Sequence, residues 1–182
     1  YLPADIAPQV VEGATTSITA LRYEGFGPSV AARTSAAEAL FEGPAPRRAE
    51  TDESIAIWQS IRDGAPFVGT DKAVWRCSVP PTAGPDVVAA APAGSRAYLD
   101  WGGGLVMVET PAVDDAGAAQ LRASVEMYGG HAMLLRAPVD IRANVATFHP
   151  MATGLEALAR RLRNAFDPEG ILNPKRMSRE AA

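Results

Sequence analysis

Read for alternation of apolar and polar positions, the chain opens with a β-like stretch from Ser17 to Gly25. Ile18, Ala20, Arg22 and Glu24 take one side and Thr19, Leu21 and Tyr23 the other, which predicts a strand with one buried face. Gly27 and Pro28 then open a helix, proline being tolerated in a first helical turn, and the alanine-rich run Val30 to Phe41 carries it to the stop at Gly43-Pro44-Ala45-Pro46. A second helix from about Glu50 to Arg62 places Ile55, Trp58 and Ile61 along one stripe and ends at Gly64 and Pro66. Alternation returns from Ala73 to Val79, where Trp75, Cys77 and Val79 oppose Val74, Arg76 and Ser78. A short helix at Asp86 to Ala91 follows Pro80-Pro81, and Arg96 to Trp101 and Leu105 to Thr110 flank Gly102-Gly103-Gly104 as a hairpin. Asp114 or Asp115 caps the next helix, whose Ala118, Leu121, Val125 and Tyr128 share a face, and Gly129-Gly130 releases the chain into a strand from His131 to Arg136. Beyond a turn-rich loop through Pro138 and Pro150, Thr153 and Glu156 spell a capping box. The helix it starts sets Leu155, Leu158, Leu162 and Phe166 against Arg160, Arg161 and Arg163, and the stretch from Asp167 to Ala182 reads as an irregular tail.

Stripped of its insertions, this order is two β-α-β units. The expected class is α+β: a ferredoxin-like antiparallel sheet with helices on one face, plus a C-terminal helix and tail. No repeat of solenoid length recurs.

Composition narrows the function classes. The 182 residues carry 17 basic and 21 acidic side chains, 47% apolar residues, one cysteine and two histidines. One sizeable core is expected, held by packing, because a lone cysteine makes no internal disulfide and two histidines make no zinc cluster. A net charge of −4 argues against nucleic acid as a partner, since a basic surface is needed to displace counterions from phosphates. No apolar run is long enough to span a bilayer, and Tyr1 to Pro8 lack the order of a signal peptide, so a cytoplasmic, reduced protein is the expectation. A chain that opens on Tyr1 also reads as a piece cut from something longer.

Most of the eye-catching residues have ordinary structural explanations. The triple glycine lacks the spacing of a dinucleotide fingerprint or a Walker loop and runs into a strand, so it reads as a hairpin turn. Cys77 shares a strand face with Trp75 and Val79, as a buried inert thiol does. His131 and His149 stand apart from other metal ligands. The arginine run at 160–163 is the solvated side of an amphipathic helix. Strand parity is more informative. With Leu21, Trp75 and Leu99 under the helices, the opposite face gathers Arg22, Arg76, Ser78, Tyr98, Asp100 and Arg136. Three guanidiniums on one open face suit a carboxylic-acid substrate or an acidic partner. The competing explanation is the wet face of an ordinary antiparallel sheet.

The end of the chain, Asn164-Ala165-Phe166-Asp167-Pro168-Glu169-Gly170-Ile171-Leu172-Asn173-Pro174-Lys175-Arg176-Met177, resembles the terminal motif of FAD-linked oxidases of the vanillyl-alcohol-oxidase type. Leu21 to Ala32, Val74 to Pro81, Tyr98 to Val106, and Gly129-Gly130-His131 with Leu135-Arg136-Ala137 resemble the E-subunit type of bacterial glycolate oxidase. The likeness spans about Thr15 to Met177. It implies a linker at 1–14 from an absent N-terminal FAD-binding domain, a cap domain at 15–166 over flavin and substrate, and a tail at 167–182 returning to the FAD domain. The implied cofactor is FAD, held mainly by that N-terminal domain, with Asn173, Pro174 and Arg176 approaching it. Arg22, Arg76, Arg136 and His131 are the implied substrate- or flavin-facing candidates, and no metal ligand is assigned. The implied activity is oxidation of glycolate or a similar 2-hydroxy acid by hydride transfer to flavin, with a D-type catalytic subunit and an iron-sulfur subunit as partners, which would make the chain peripheral to the inner membrane. Two departures qualify this. Lys175 replaces the glycine of the usual Asn-Pro-Gly, and neither His131-Ala132-Met133 nor His149-Pro150-Met151 matches the His-x-Gly-Asp metal motif of D-type relatives. The isolated piece is expected to be inactive and to dimerise through its exposed sheet. The alternative is a non-catalytic ferredoxin-like binding or scaffolding module for a protein or metabolite.

Overall fold

The computed structural model describes residues 1–43 and 46–172. The chain divides between Val68 and Gly69 into two compact units.

In the first unit, a 3-10 turn at Ala7–Gln9 is followed by helices α1 (Gly27–Glu38) and α2 (Thr51–Asp63). Leu2 and Ile18 exchange backbone hydrogen bonds of 2.8 Å each, and Leu2, Ile6, Ala7 and Val11 are buried. The strand expected at Ser17 to Gly25 does not form, and Ile18 makes its one bridge. Leu21, expected under helices, is 58% exposed. Arginine side chains hold this segment instead of a neighbouring strand. Arg22 pairs with Glu24 and lies 5.7 Å from the Trp58 ring centroid, while Arg33 donates to the Glu24 carbonyl at 2.7 Å and lies over Tyr23. On α2 the buried positions are Ile57 and Ile61, one turn apart, while Ile55 is exposed and Trp58 half-buried, so the predicted stripe is rotated.

The second unit holds strands β1 (Ala73–Ser78), β2 (Arg96–Asp100), β3 (Leu105–Thr110) and β4 (His131–Arg136). They form one antiparallel sheet in the order β2-β3-β1-β4. Helix α3 (Gly84–Ala89) joins β1 to the non-adjacent β2, and α4 (Ala118–Glu126) joins β3 to the non-adjacent β4, so two β-α-β units interleave. The α+β class is the one the sequence indicates. β3 is buried along its whole length, as a central strand is.

One face of the sheet presents Ala73, Trp75, Cys77, Val106, Val108, Ala132 and Leu134. Val87 of α3, Leu121 and Val125 of α4, and Ile141 of α5 (Val139–Asn144) close the core over them. The Trp75 indole N–H donates to the Ala116 carbonyl at 3.0 Å, and the Thr110 hydroxyl donates to the same oxygen at 2.8 Å. Of the two capping candidates it is Asp115 that accepts from Gly117 and Ala119 N–H, at 2.9 and 2.7 Å. Arg122 donates from Nη2 to the carbonyls of Ala146 and Phe148 and lies 5.5 Å from the Trp75 centroid, fastening the loop after α5. That loop also blunts the β4 edge: Leu134 N–H donates to Thr147 O at 2.8 Å and Ala132 N–H to His149 Nδ1 at 3.3 Å.

The glycine hairpin is confirmed, and its composition has a packing cause. A Cβ on Gly103, whose φ is +104°, would stand 2.3 Å from the Pro81 carbonyl oxygen, so the β2–β3 turn and the segment after β1 touch backbone to backbone. Helix α6 (Thr153–Phe166) begins at the expected capping residue itself, so Ala152 takes the capping position, with no side-chain cap bond. Leu155, Leu158, Leu162 and Phe166 are all exposed on it. After it the chain turns at Asp167, whose carboxylate accepts from Ile171 and Leu172 N–H at 3.1 and 2.8 Å, with Gly170 at φ +63°. No helix among the described residues is long and apolar enough to cross a membrane.

Candidate functional site

The second face of the sheet is ordered by register into three rows. Across β2, β3, β1 and β4 these are Arg96, Glu109, Val74, Arg136, then Tyr98, Met107, Arg76, Met133, then Asp100, Leu105, Ser78, His131. Simple alternation along β4 would put His131 and Arg136 on opposite faces. A bulge opposite Val74 and Trp75 inserts Leu135 and returns Arg136 to the face of Arg76, so both candidates share it. Arg22 does not. It lies in the first unit, in a segment with no strand; of the expected trio, Arg76 and Arg136 stand on the sheet, and Arg96 of β2 is the third guanidinium of this face.

This face is not uniformly wet. Val74, Tyr98, Leu105, Met107 and Glu109 are buried, and burial pushes the Tyr98 hydroxyl pKa up, with the Asp100 charge adding to the effect. Glu109 is fully buried and was not singled out from the sequence. It accepts from the Thr70 hydroxyl at 2.8 Å and lies 3.4 Å from Lys72 Nζ and 3.5 Å from Arg96 Nη1. Arg136 Nη2 donates to Thr70 Oγ1 at 3.1 Å and so joins this charged cluster. The signal for Glu109 was present: hairpin register sets it directly across from Arg96, a charge pair at opposed positions.

The accessible end holds Arg76, Ser78, Asp100, His131 and the hairpin residue Trp101. Arg76 is half-buried, with Met107 and Met133 as its cross-strand neighbours. Its guanidinium carbon lies 5.1 Å from the Trp101 ring centroid, and among the described residues it makes no ion pair. Trp101 is 59% exposed and held at φ +52°, a conformation that costs a bulky residue about 1–2 kcal/mol. The Asp100 carboxylate secures it by accepting from Trp101 N–H at 2.7 Å. His131 is exposed on the row of Ser78, its direct cross-strand partner.

The remaining groups serve structure. His149 accepts at Nδ1, which puts its proton on Nε2, 3.2 Å from a Glu126 carboxylate oxygen. Burial pushes the Cys77 thiol up to about 12, so it is held as an inert thiol, as expected. No group of metal-ligating side chains occurs among the described residues. Asn173, Pro174 and Arg176 lie outside the described residues.

Comparison with family models, with curated proteins and with solved structures gives no match to this chain.

Proposed function

We propose that the chain is the cap-type domain of an FAD-linked 2-hydroxy-acid oxidoreductase, of the glycolate-oxidase E-subunit kind, in which Arg76 takes the substrate carboxylate. The observation that carries this reading is Arg76 itself: a half-buried arginine among apolar neighbours, with no ion pair to a carboxylate among the described residues. Its planar fork matches a carboxylate in two hydrogen bonds, and the low-polarity surroundings strengthen both. His131 and Ser78, paired on the next row two residues along from Met133 and Arg76, are the polar groups assigned to the hydroxyl next to that carboxylate.

The described residues do not form a cradle for the FAD diphosphate. Gly102 to Gly104 run into β3 rather than a helix, and the space beside Gly103 is filled by the Pro81 carbonyl. The cofactor would be held by other polypeptide, with the tail at Asn173 to Arg176 approaching it as the resemblance implies. When bound, flavin supplies the hydride acceptor, and the part of this chain is to bind and orient the acid. A D-type catalytic subunit and an iron-sulfur subunit complete the proposed assembly. A second reading, a scaffolding module, is favoured by the exposed apolar stripe of α6, which is suited to a protein partner.

The test is to assemble the chain with its flavin-binding polypeptide and follow anaerobic bleaching of the flavin by glycolate and larger 2-hydroxy acids. Bleaching is expected, with Arg76→Ala raising KM at least tenfold (about 1.4 kcal/mol or more). Absence of flavin, or unchanged activity in Arg76→Ala, overturns the reading. The chain alone should bind FAD more weakly than micromolar.

A further inference from the structure

We propose that the site around Arg76 prefers 2-hydroxy acids bearing a planar apolar group on carbon 2, of the mandelate class, over glycolate, and that Trp101 sets this preference. The inference rests on the carboxylate-binding reading of Arg76 and deepens it.

Arg76 sits against three apolar, polarisable side chains: Met107 and Met133 across the two neighbouring strands, and the Trp101 ring at 5.1 Å. Met107 is buried and Met133 half-buried, whereas Trp101 is mostly exposed. A guanidinium beside an uncovered indole offers two different contacts a few ångströms apart, one for charge and one for a flat hydrocarbon. Glycolate has a carboxylate and a hydroxyl but no apolar body, so it uses the first contact and leaves the second in water. An aryl group on the same carbon covers the indole edge and the Met133 thioether while the carboxylate stays on Arg76.

The backbone supports a specific placement of that ring. Trp101, Gly102 and Gly103 have successive φ values of +52°, +64° and +104°. The last two are glycines, whereas the first is the bulkiest residue the chain has, held there by the Asp100 carboxylate. Glycine or asparagine at Trp101 would relieve that conformation and would lose the contact over Arg76. Trp101 is therefore a positioning residue for Arg76 as well as a wall for the ligand.

Titration of the purified chain with mandelate, glycolate and benzyl alcohol tests this, read by the tryptophan indole N–H and Arg76 Nε–H resonances. Mandelate is expected to shift the Trp101 and Arg76 signals at concentrations at least tenfold below glycolate, and benzyl alcohol to leave Arg76 unmoved. Trp101→Phe should keep the preference. Trp101→Ala, read at Arg76, should bring the two acids to equal affinity. Equal binding of both acids by the unmodified chain, or a preference that survives Trp101→Ala, overturns the inference and leaves the carboxylate reading standing. No shift of Arg76 with either acid overturns both. Should Trp101→Ala fail to fold, the comparison of acids and the Trp101→Phe chain still decide.

Discussion

Truncating Glu109 to alanine probes a fully buried carboxylate in a central strand of the sheet. Its side chain is fully buried, with Thr70 Oγ1 at 2.8 Å, Lys72 Nζ at 3.4 Å and Arg96 Nη1 at 3.5 Å. Removing the carboxylate deletes a hydrogen bond to a charged acceptor, about 1.5–3 kcal/mol. The lost side-chain volume adds about 1 kcal/mol. Two cations also lose this partner, but their side chains are 40% and 24% exposed, so each loss is near the surface value of about 0.5 kcal/mol. The sum is about 3.5–5 kcal/mol, within the range for breaking a buried pair. Glu109→Gln keeps an acceptor for Thr70 and forfeits only the charge, which should cost about 1–2 kcal/mol. Urea unfolding near neutral pH, followed by tryptophan fluorescence with a shared m value, gives both numbers. A Glu109→Ala chain within about 0.5 kcal/mol of the parent refutes the reasoning that these contacts of the buried carboxylate stabilise the fold. A glutamine variant as damaging as the alanine one refutes the division between hydrogen bond and charge.

Three more outcomes are expected. Gly103→Ala, with its Cβ driven to 2.3 Å from the Pro81 oxygen, should destabilise by about 2–4 kcal/mol, whereas Gly102→Ala, with open space around it, should cost about 1 kcal/mol; thermal melts that reverse this ranking contradict the packing argument. Burial raises the Cys77 thiol from 9.0 to about 12, so the unfolded chain ionises first and stability falls by about 1.4 kcal/mol per pH unit above the lower value. Cys77→Ala should flatten that alkaline slope between about pH 9 and 10 in denaturant titrations, leaving the contribution of Tyr98, whose pKa is raised in the same direction from an ordinary value of 10.0. Asp167→Ala removes the acceptor for Ile171 and Leu172 N–H, so hydrogen exchange at those two amides should quicken about tenfold while the melting temperature moves by less than about 2 °C; unchanged exchange would show that something else holds the turn.

The four strands were legible in the sequence from their alternation and the breaks that bound them, and for β2 and β3 the turn at Gly102 to Gly104 also set the pairing. Ser17 to Gly25 had the alternation without a partner: its polar positions are engaged by Arg22 and Arg33 with Glu24, Trp58 and Tyr23, contacts that period counting does not see. The accessible end of the second face was half legible. Arg76 followed from parity, but His131 and Arg136 can share a face only through the bulge at Leu135, which the even spacing of residues does not disclose. Trp101 escaped notice because its importance lies in a positive φ and a ring set over a neighbouring guanidinium. The capping box at Thr153 failed by one residue: the helix starts at Thr153, so its hydroxyl lies inside the first turn instead of ahead of it.

The bend after α6 carries its instructions within itself. Asp167 supplies both acceptor oxygens, Gly170 supplies the left-handed backbone, and a 2.8 Å bond from Asp167 N–H to Arg163 ties the bend to the helix before it. Such a knuckle is self-contained: every bond named in it is local, so its angle depends on Asp167, Gly170 and the last turn of the helix and not on distant packing.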